Sequence, residues 1–183
     1  MTILHIDTSI NGENSASRQL TKSVVDQLKA SQWGAQIVYH DLATNPIPHL
    51  TLDQFADSSV LDQFLEADTV VIGAPMYNFG IPSQLKAWFD RIAIAGKTFR
   101  YTENGPEGLA GGRRVIIALA RGGFYAEGTP TASFEFVQRY LKAAFNFIGI
   151  EPEFVVAEGL AVSEEQRENA ISHALGETIR LAA

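Results

Sequence analysis

The sequence predicts a doubly wound α/β fold, in which a five-stranded parallel sheet lies between two layers of helices as a three-layer α/β/α sandwich. Short apolar runs alternate along the chain with segments whose apolar residues recur at helical spacing. The runs 69–73 and 114–120 are apolar on both faces, which is typical of strands buried inside a parallel sheet. The 183 residues contain no internal repeat or long linker, so we expect a single domain over 1–183.

Five strands are predicted from runs of apolar and β-branched residues. In chain order they cover 3–6, 36–39, 69–73, 114–120 and 154–157. Gly122 and Gly123 end the fourth strand abruptly. A short extended arm is also expected at 98–101, before a glycine-rich turn at 104–112.

Five helical segments are predicted between and after these strands. In chain order they cover 20–28, 52–65, 83–95, 134–145 and 164–181. Pro46 and Pro48 precede the segment 52–65, and they exclude a central strand or a helix interior at their own positions. Ser163 with Gln166 three residues later is a capping-box pattern, which predicts where the last helix begins.

Composition and charge exclude several classes of function. The formal net charge of −7 gives no broad attraction for nucleic acid or anionic lipid. No apolar stretch approaches the roughly 20 residues that span a bilayer, and the N-terminus has no basic signal region, so we expect a cytoplasmic protein. The chain has no cysteine, so redox chemistry needs a bound cofactor. The chain has four histidines, His5, His40, His49 and His173. Their spacing does not match that of metal ligands.

Three loops are the candidate functional regions, because ligands of open parallel sheets bind beyond the carboxyl ends of the strands. They cover 9–17, 75–82 and 121–128. The patterns GxGxxG and GxxxxGK[ST] are absent, which disfavours a dinucleotide or a P-loop nucleotide site. A monophosphate that is held by hydroxyls and amides, without lysine or metal, remains as a candidate ligand.

The first loop offers the hydroxyls of Thr8, Ser9, Ser15 and Ser17 directly before a helix. Free amides at a helix N-terminus favour an anion. Ordinary helix capping by Ser15 or Ser17 is the alternative interpretation.

The second loop presents Met76, Tyr77 and Phe79 after a buried strand. A flat ring system would cover these apolar side chains, with Asn78 bonded to its edge. Packing of the same side chains into the body of the protein is the alternative. In the third loop, Gly122 and Gly123 would allow backbone amides to approach a ligand, or they form a plain tight turn.

Together the loops describe a site for a flat heteroaromatic ring that carries one phosphate, which is the shape of flavin mononucleotide (FMN). At these residues the sequence resembles the FMN-dependent NADH-azoreductase family, also described as NADH-quinone oxidoreductases. The resemblance rests on motifs spaced over nearly the whole chain. They are LATNPIP at 42–48, APMYNFGIPSQLKAWFD at 74–90, AGKTFRYTENGPEGL at 95–109, RGG at 121–123 and FIGI at 147–150.

The resemblance implies a flavodoxin-like fold, a homodimer with active sites at its interface, and one non-covalent FMN per subunit. In that family NADH or NADPH reduces the flavin, which then reduces a quinone or an azo compound in a two-step, ping-pong reaction. Since the flavin itself accepts the hydride, no catalytic side chain is nominated.

The family's cofactor-binding positions transfer to three groups of residues. The phosphate and ribityl group would meet Ser9, Ser15, Ala16 and Ser17. The ring would be lined by Met76, Tyr77, Asn78 and Phe79, and its pyrimidine edge would meet Ala120, Arg121, Gly122 and Gly123. Tyr101, Tyr125 and Phe147 are the candidates to flank the substrate, although the helical spacing of Phe147 equally suits a core residue.

Three departures from the family pattern concern the site. Ala120 stands where the family commonly has Ser, which removes a hydroxyl but leaves the backbone contacts of the next residues. Phe124 and Tyr125 follow the double glycine where a relative can carry His, which affects the substrate side more than the cofactor side. The connection from Leu50 to Leu65 is shorter than in the family, which predicts a more open pocket.

Two other functions share this fold. An electron-carrier flavodoxin would bind the same cofactor without its own small-molecule reductase activity, but such carriers usually have stronger acidic patches. A phosphoacceptor signalling domain would use Asp7 at the end of the first strand. The third strand, however, ends in Gly73, Ala74 and Pro75 where the phosphoacceptor aspartate would sit, so this function ranks last.

Overall fold

A computed structural model describes residues 1–182 and contains one five-stranded parallel sheet and one hairpin. The strands are β1 (Thr2–Asp7), β2 (Gln36–Asp41), β3 (Thr69–Pro75), β4 (Phe99–Thr102), β5 (Gly105–Gly108), β6 (Arg114–Ala120) and β7 (Glu153–Ala157). The sheet order is β2-β1-β3-β6-β7, and β4 pairs with β5 in the separate hairpin. This confirms the predicted doubly wound, five-stranded sheet.

Five α-helices and three 3-10 turns connect the strands within the described residues. The α-helices are α1 (Ala16–Ser31), α2 (Ser59–Glu66), α3 (Ser83–Ile92), α4 (Val137–Phe147) and α5 (Glu164–Ala182). The 3-10 turns are Gly12–Asn14, Leu52–Ala56 and Ala132–Phe134. No helix within residues 1–182 is both long enough and apolar enough to cross a membrane.

Successive residues of the central strands point to opposite sides of the sheet, so both faces carry apolar side chains. Helices pack on each face and bury them. Ile3 and Val71 pack against α1, and α5 lies beside α1 on that face. Leu4 and Ile72 pack on the opposite face with apolar residues of α2, α3 and α4, including Trp88. The helices therefore cover both faces, and the loops at the carboxyl edge remain accessible.

The prediction of a turn over the glycine-rich segment 104–112 is corrected by the structure, because the segment contains the strand β5. β5 pairs antiparallel with β4, with Tyr101 opposite Pro106. The β5 sequence GPEG has little strand propensity of its own, and the pairing with β4 gives it an extended conformation. The two glycines Gly108 and Gly149 touch there, since a Cβ built on Gly108 would lie 2.1 Å from the Gly149 amide nitrogen.

The helix predicted over 83–95 ends three residues early. The Thr98 hydroxyl donates to the Ile92 carbonyl at 2.6 Å and accepts a hydrogen bond from the Ile94 amide at 3.0 Å. The side chain thus replaces the next helical hydrogen bonds and stops the helix.

Two other predicted helices have different limits. The segment 52–65 forms a 3-10 turn and the short α2, because the Asp57 carboxylate accepts a hydrogen bond from the Ser59 amide and breaks the run. The segment 134–145 begins at Val137 instead, because the Glu135 carboxylate caps the first amides of α4. The Ser163 hydroxyl accepts a hydrogen bond from the Gln166 amide at 3.1 Å, which confirms the predicted start of α5.

Candidate functional site

A cavity of about 220 Å³ lies at the carboxyl edge of the sheet, between the loops that follow β1, β3 and β6. Eight of the twelve predicted cofactor-binding residues line it, and they are Ser9, Ser15, Ala16, Met76, Tyr77, Ala120, Arg121 and Gly122. A second cavity of about 600 Å³ shares Met76 and Tyr77 and is also lined by Asn78. The structure therefore brings the three predicted loops together around two adjoining cavities.

Three predicted residues lie beside these cavities instead of lining them. Ser17 is fully buried beneath the first loop, with its hydroxyl 3.1 Å from that of Ser15. Phe79 packs against Tyr125 of the third loop and against Phe134 of the following 3-10 turn. Gly123 lies against the Tyr125 ring, because a Cβ built on it would be 3.3 Å from that ring.

The first loop combines helix capping by Ser15 with free backbone donors, so capping does not exclude an anion site there. The Ser15 hydroxyl accepts a hydrogen bond from the Arg18 amide at 3.3 Å and caps α1. The amides of Ala16 and Ser17 donate to no acceptor among the described residues. The Thr8 hydroxyl is already used, because it donates to the Gly73 carbonyl at 2.6 Å.

A charged network behind the first loop fixes its backbone. The Arg18 guanidinium donates to the Ser9 carbonyl at 2.8 Å and to the Asp41 carboxylate at 2.7 Å. The hydrogen bond to Asp41 raises the pKa of Arg18. Burial alone would raise the pKa of Asp41, but the bonds from Arg18 and the Ala43 amide outweigh it and hold this pKa below its ordinary value of 3.8. The loop is thus fastened to α1 and β2 by an ion pair.

The second loop is a tight hairpin with two left-handed residues. Tyr77 and Gly80 exchange both backbone hydrogen bonds at 3.0 Å, and the residues between them have φ values of 47° at Asn78 and 68° at Phe79. Two positive φ values define a type I′ turn, in which the second position favours glycine. The Tyr77 hydroxyl also accepts a hydrogen bond from the Ile10 amide at 3.1 Å, which ties this loop to the first.

An aromatic cluster of Phe79, Phe134 and Tyr125 joins the second and third loops. The Phe79 ring stacks on Phe134 with centroids 5.1 Å apart and meets the edge of Tyr125 at 6.3 Å. The partial exposure of Phe79 and Phe134 leaves apolar ring surface at the mouth of the site. The side chains of the second loop are therefore divided between the cavity wall and this cluster.

The third loop is anchored by the buried Arg121. Its guanidinium donates to Gln138 at 2.7 Å and lies 3.2 Å from Glu135 and 3.3 Å from Glu158. The carbonyls of 121–123 accept hydrogen bonds from the amides of 159–161. The amides of Gly122 and Gly123 have no acceptor among the described residues, so they remain as donors for a ligand.

The three candidate substrate residues lie in two different places. Tyr125 lines a neighbouring cavity and contacts Phe79. Tyr101 is 75% exposed on β4, and Phe147 is partly buried at the end of α4. Both contact Phe99, with ring centroids at 5.6 and 4.6 Å respectively, and neither lines the cavity between the loops of its own chain.

Residues from outside the predicted loops also line the cavity. Leu160 and Ala161 belong to the loop after β7, and Arg167 belongs to the first turn of α5. Asn11 and Asn14 lie within the first loop but were not singled out. The rule that directs attention to carboxyl strand ends also applies to β7, which neighbours β6, so it could have identified 158–161. No sequence motif marks Arg167.

The unpartnered amides provide a test of whether the site suits FMN. Those of Ala16 and Ser17 suit a phosphate at a helix N-terminus, and those of Gly122 and Gly123 suit a carbonyl-rich ring edge. Across residues 1–182, no group of three or more potential ligand side chains is arranged to hold a metal ion. The donor set therefore fits a phosphorylated flat ring.

Comparison with known sequences gives nearly full-length matches. A family model described as "Flavodoxin-like fold" matches residues 1–181. FMN-dependent NADH:quinone oxidoreductase 2 of Bradyrhizobium diazoefficiens is 47% identical over 201 aligned positions, which cover 100% of both chains. FMN-dependent NADH:quinone oxidoreductase of Stenotrophomonas maltophilia is 51% identical over 185 positions, which cover 96% of this chain and 93% of the relative.

Solved structures give the same grouping. The crystal structure of azoreductase AzrA superposes with a TM-score of 0.91 at 30% identity, covering 100% of this chain and 99% of the other. The FMN-dependent NADH-azoreductase from Bacillus anthracis, solved in complex with FMN, gives a TM-score of 0.85 at 30% identity with 100% of both chains covered.

Proposed function

The chain belongs to the flavodoxin-like fold family, and from that membership we propose that it is an FMN-dependent oxidoreductase that uses NADH to reduce quinones. One FMN is held non-covalently per subunit. The chain acts as a single FMN-binding domain, since the family match extends over residues 1–181.

One observation carries this proposal: three loops from separate strands meet at one cavity. Their unpartnered amides are the hydrogen-bond donors that a phosphate and a carbonyl-rich ring edge require. An ordinary capped helix or tight turn explains each loop alone, but not their convergence. The relatives of similar length, at about half identity, are named as FMN-dependent NADH:quinone oxidoreductases.

Each loop has its own part in holding the cofactor. Ser9 and Ser15 supply hydroxyls, and the amides of Ala16 and Ser17 supply donors, to the phosphate and the ribityl chain, while the buried Ser17 hydroxyl supports that of Ser15. Met76, Tyr77 and Asn78 line the ring, and Phe79 lies beside it in the cluster with Phe134 and Tyr125. Ala120, Arg121, Gly122 and Gly123 meet its pyrimidine edge through the backbone.

The chemistry that FMN supplies when bound is two-electron transfer between NADH and a quinone. The protein contributes orientation and charge stabilisation. The amides of Gly122 and Gly123 would donate hydrogen bonds to the carbonyl-rich edge of the ring and stabilise negative charge there. The ion pairs of Arg121 keep those amides in place, and the hairpin that carries Asn78 would position the ring between the loops. No side chain needs to transfer a proton for these tasks.

We further propose a cytoplasmic homodimer that also reduces azo compounds and uses NADPH as an alternative donor. An apolar groove of about 460 Å³ supports dimerisation, and it is lined in part by Ile81, Ala87, Phe136 and Tyr140. The position of Tyr101 and Phe147 away from their own chain's cavity supports active sites that are completed across the interface. The AzrA and Bacillus anthracis structures, both of proteins named azoreductases, support the azo substrates.

The electron-carrier alternative receives less support. The relatives that match the chain over nearly its full length are named for a reaction with NADH and quinones, which a carrier does not catalyse itself. Glu135 and Glu158, the acidic side chains nearest the third loop, lie within 3.3 Å of the Arg121 guanidinium, so they do not form a free acidic docking face.

Anaerobic spectroscopy of the purified full-length protein tests the proposal. We expect a bound yellow flavin that NADH bleaches and that a quinone restores, with an azo dye and NADPH tested in parallel. A flavin that NADH leaves oxidised would refute the oxidoreductase function and favour the carrier. A protein that neither retains nor takes up FMN would refute both.

A further inference from the structure

Arg167 holds α5 against the first loop and lies in the wall of the cavity. Its guanidinium donates to the Asn14 carbonyl at 2.6 Å, and its own amide bonds to the Ser163 carbonyl in the first turn of α5. The side chain therefore reaches from one helix to the loop that precedes another. It lines the same cavity as Ser9, Ser15 and Ala16.

Among the described arginines at or behind this cavity, Arg18 and Arg121 each have carboxylate partners and Arg167 has none. Arg121, the other charged residue of the lining, lies within 3.3 Å of both Glu135 and Glu158. Arg18, behind the first loop, is paired with Asp41. Among residues 1–182, no carboxylate lies within 4.0 Å of the Arg167 guanidinium.

An unbalanced guanidinium beside neutral donors suits a dianionic group. Arginine has five N–H donors, and the Asn14 carbonyl occupies one Nη2 position. A phosphate monoester carries a charge of about −1.5 to −2 at pH 7, and arginine binds such groups through two parallel hydrogen bonds. The serine hydroxyls and helix amides of the first loop supply no full positive charge of their own.

We propose that Arg167 binds the phosphate of FMN and supplies the charge that makes the site select FMN over riboflavin. This rests on the proposed function, because it assigns a further residue to the same cofactor site. The segment of α5 is thereby part of the site, together with the three loops. Two consequences follow, namely that Arg167 contributes to FMN affinity but not to riboflavin affinity, and that added salt weakens its contribution.

Flavin titrations of four full-length proteins test this. The wild type, Arg167→Gln, Arg167→Lys and Arg180→Gln are freed of bound flavin and titrated with FMN and separately with riboflavin, with quenching of flavin fluorescence as the readout. Arg180 is a matched control, because it lies on the same helix, its side chain is 74% exposed, and among residues 1–182 it pairs with Glu177 alone.

We expect Arg167→Gln to weaken FMN binding by about tenfold and to leave riboflavin binding unchanged, since only FMN has the charged group. Arg167→Lys should lose roughly threefold, because it keeps the charge but not the paired donors. Arg180→Gln should match the wild type. Potassium chloride should reduce FMN affinity more steeply in the wild type than in Arg167→Gln.

Other outcomes separate the possible failures. Equal losses for FMN and riboflavin in Arg167→Gln would mean that the residue only fastens α5 to the first loop, and would overturn the inference. Unchanged FMN affinity would overturn it as well, while the proposed function would stand. If the wild type bound neither flavin, the proposed function itself would be wrong.

Discussion

Phe79 adopts a φ of 68°, a left-handed conformation that costs a bulky residue about 1–2 kcal/mol. Glycine would avoid this cost at the second position of a type I′ turn. The ring of Phe79 is retained there against Phe134 and Tyr125, at the mouth of the proposed flavin site. A strained residue at this position is consistent with a functional role for the turn. Asn78, the first residue of the turn, tolerates its φ of 47° more easily.

Replacing Asn78 separates the contribution of its side chain from that of its backbone. Asn78→Gly keeps the left-handed turn, so we expect the free energy of unfolding to change by less than about 1 kcal/mol. FMN affinity should fall roughly two- to tenfold, because an edge hydrogen bond is lost. Urea denaturation and flavin fluorescence measure the two effects. Asn78→Leu is the comparison that loses both the side-chain amide and the turn preference; wild-type FMN affinity in Asn78→Gly would remove Asn78 from the site.

Gly73 is required by close packing between β3 and the polar network behind the first loop. A Cβ built on it would lie 2.7 Å from Asp7 Oδ1 and 3.3 Å from the Thr21 methyl. Gly73→Ala should therefore lower the free energy of unfolding by about 1–3 kcal/mol. Gly176→Ala is the control, since a Cβ there meets nothing within 4 Å and should stabilise α5 by about 0.5–1 kcal/mol. Equal effects of the two substitutions in chemical denaturation would contradict this assignment.

At the scale of elements, the Arg121 network joins β6, α4 and the end of β7. Arg121 is 3% exposed and Glu135 is 5% exposed. The Glu135 carboxylate both pairs with Arg121 and caps α4. The Glu158 carboxylate accepts a hydrogen bond from the Tyr125 amide. The third loop, the start of α4 and the loop after β7 are positioned by the same cluster.

Removing the cation from this cluster should be costly. Arg121→Met leaves Glu135 buried without its partner, so we expect a loss of about 3–5 kcal/mol in the free energy of unfolding. Arg100→Met removes an exposed pair with Glu107 and should leave the free energy of unfolding nearly unchanged. Thermal or urea unfolding of the two variants provides the comparison, and a loss in Arg121→Met as small as that of the control would show that the network does not anchor the elements.

The ion pair between α1 and the end of β2 predicts a pH dependence. Because the pKa of Asp41 is lowered in the folded protein, its stabilising contribution is complete above the ordinary value of 3.8 and is lost as the pH falls through the folded pKa. The stability difference between wild type and Asp41→Asn should be constant from about pH 7 to pH 5 and should shrink below that ordinary value. Urea midpoints of both proteins, measured from about pH 7 to below that ordinary value, test the sign of the effect. A stability difference that stays constant at the lowest pH would contradict the prediction.

The regular elements could be predicted because their signals are local. Apolar periodicity located all five strands of the sheet, and the capping pattern at Ser163 located the start of α5. β5 could not be predicted, because its GPEG sequence is extended only through pairing with β4. The end of α3 also escaped prediction, since it depends on a hydrogen bond from Thr98, six residues beyond Ile92.

At the scale of the whole molecule, the site is formed by segments from almost the entire chain. The three predicted loops supply most of its wall, and the sequence indicated them because strand ends in a parallel sheet share one edge. The contributions of Leu160, Ala161 and Arg167 arise only when β7 and α5 take their places beside β6 and α1. Such contacts have no local sequence signal.

Mixed dimers test whether the active site is completed across two subunits. A Tyr101→Ala subunit and an Asn78→Leu subunit should each form weakly active homodimers. In a mixed dimer, one of the two sites combines an intact cofactor loop with an intact Tyr101, so mixing should restore quinone reduction. Activity that stays at the average of the two homodimers after subunit exchange would place Tyr101 in its own chain's site or outside both sites.

The contact between Gly108 and Gly149 bears on the thermodynamics of the proposed dimer. The backbones of the β4–β5 hairpin and the end of α4 meet without any side chain between them, and the Ala110 amide bonds to the Ile148 carbonyl at 2.9 Å. The arm that carries Tyr101 is therefore ordered before a second subunit arrives. Little conformational entropy remains to be lost on assembly, so more of the contact energy is retained as affinity. Replacing either glycine with a larger residue would move that arm. The two positions, although far apart in sequence, are therefore under the same packing constraint.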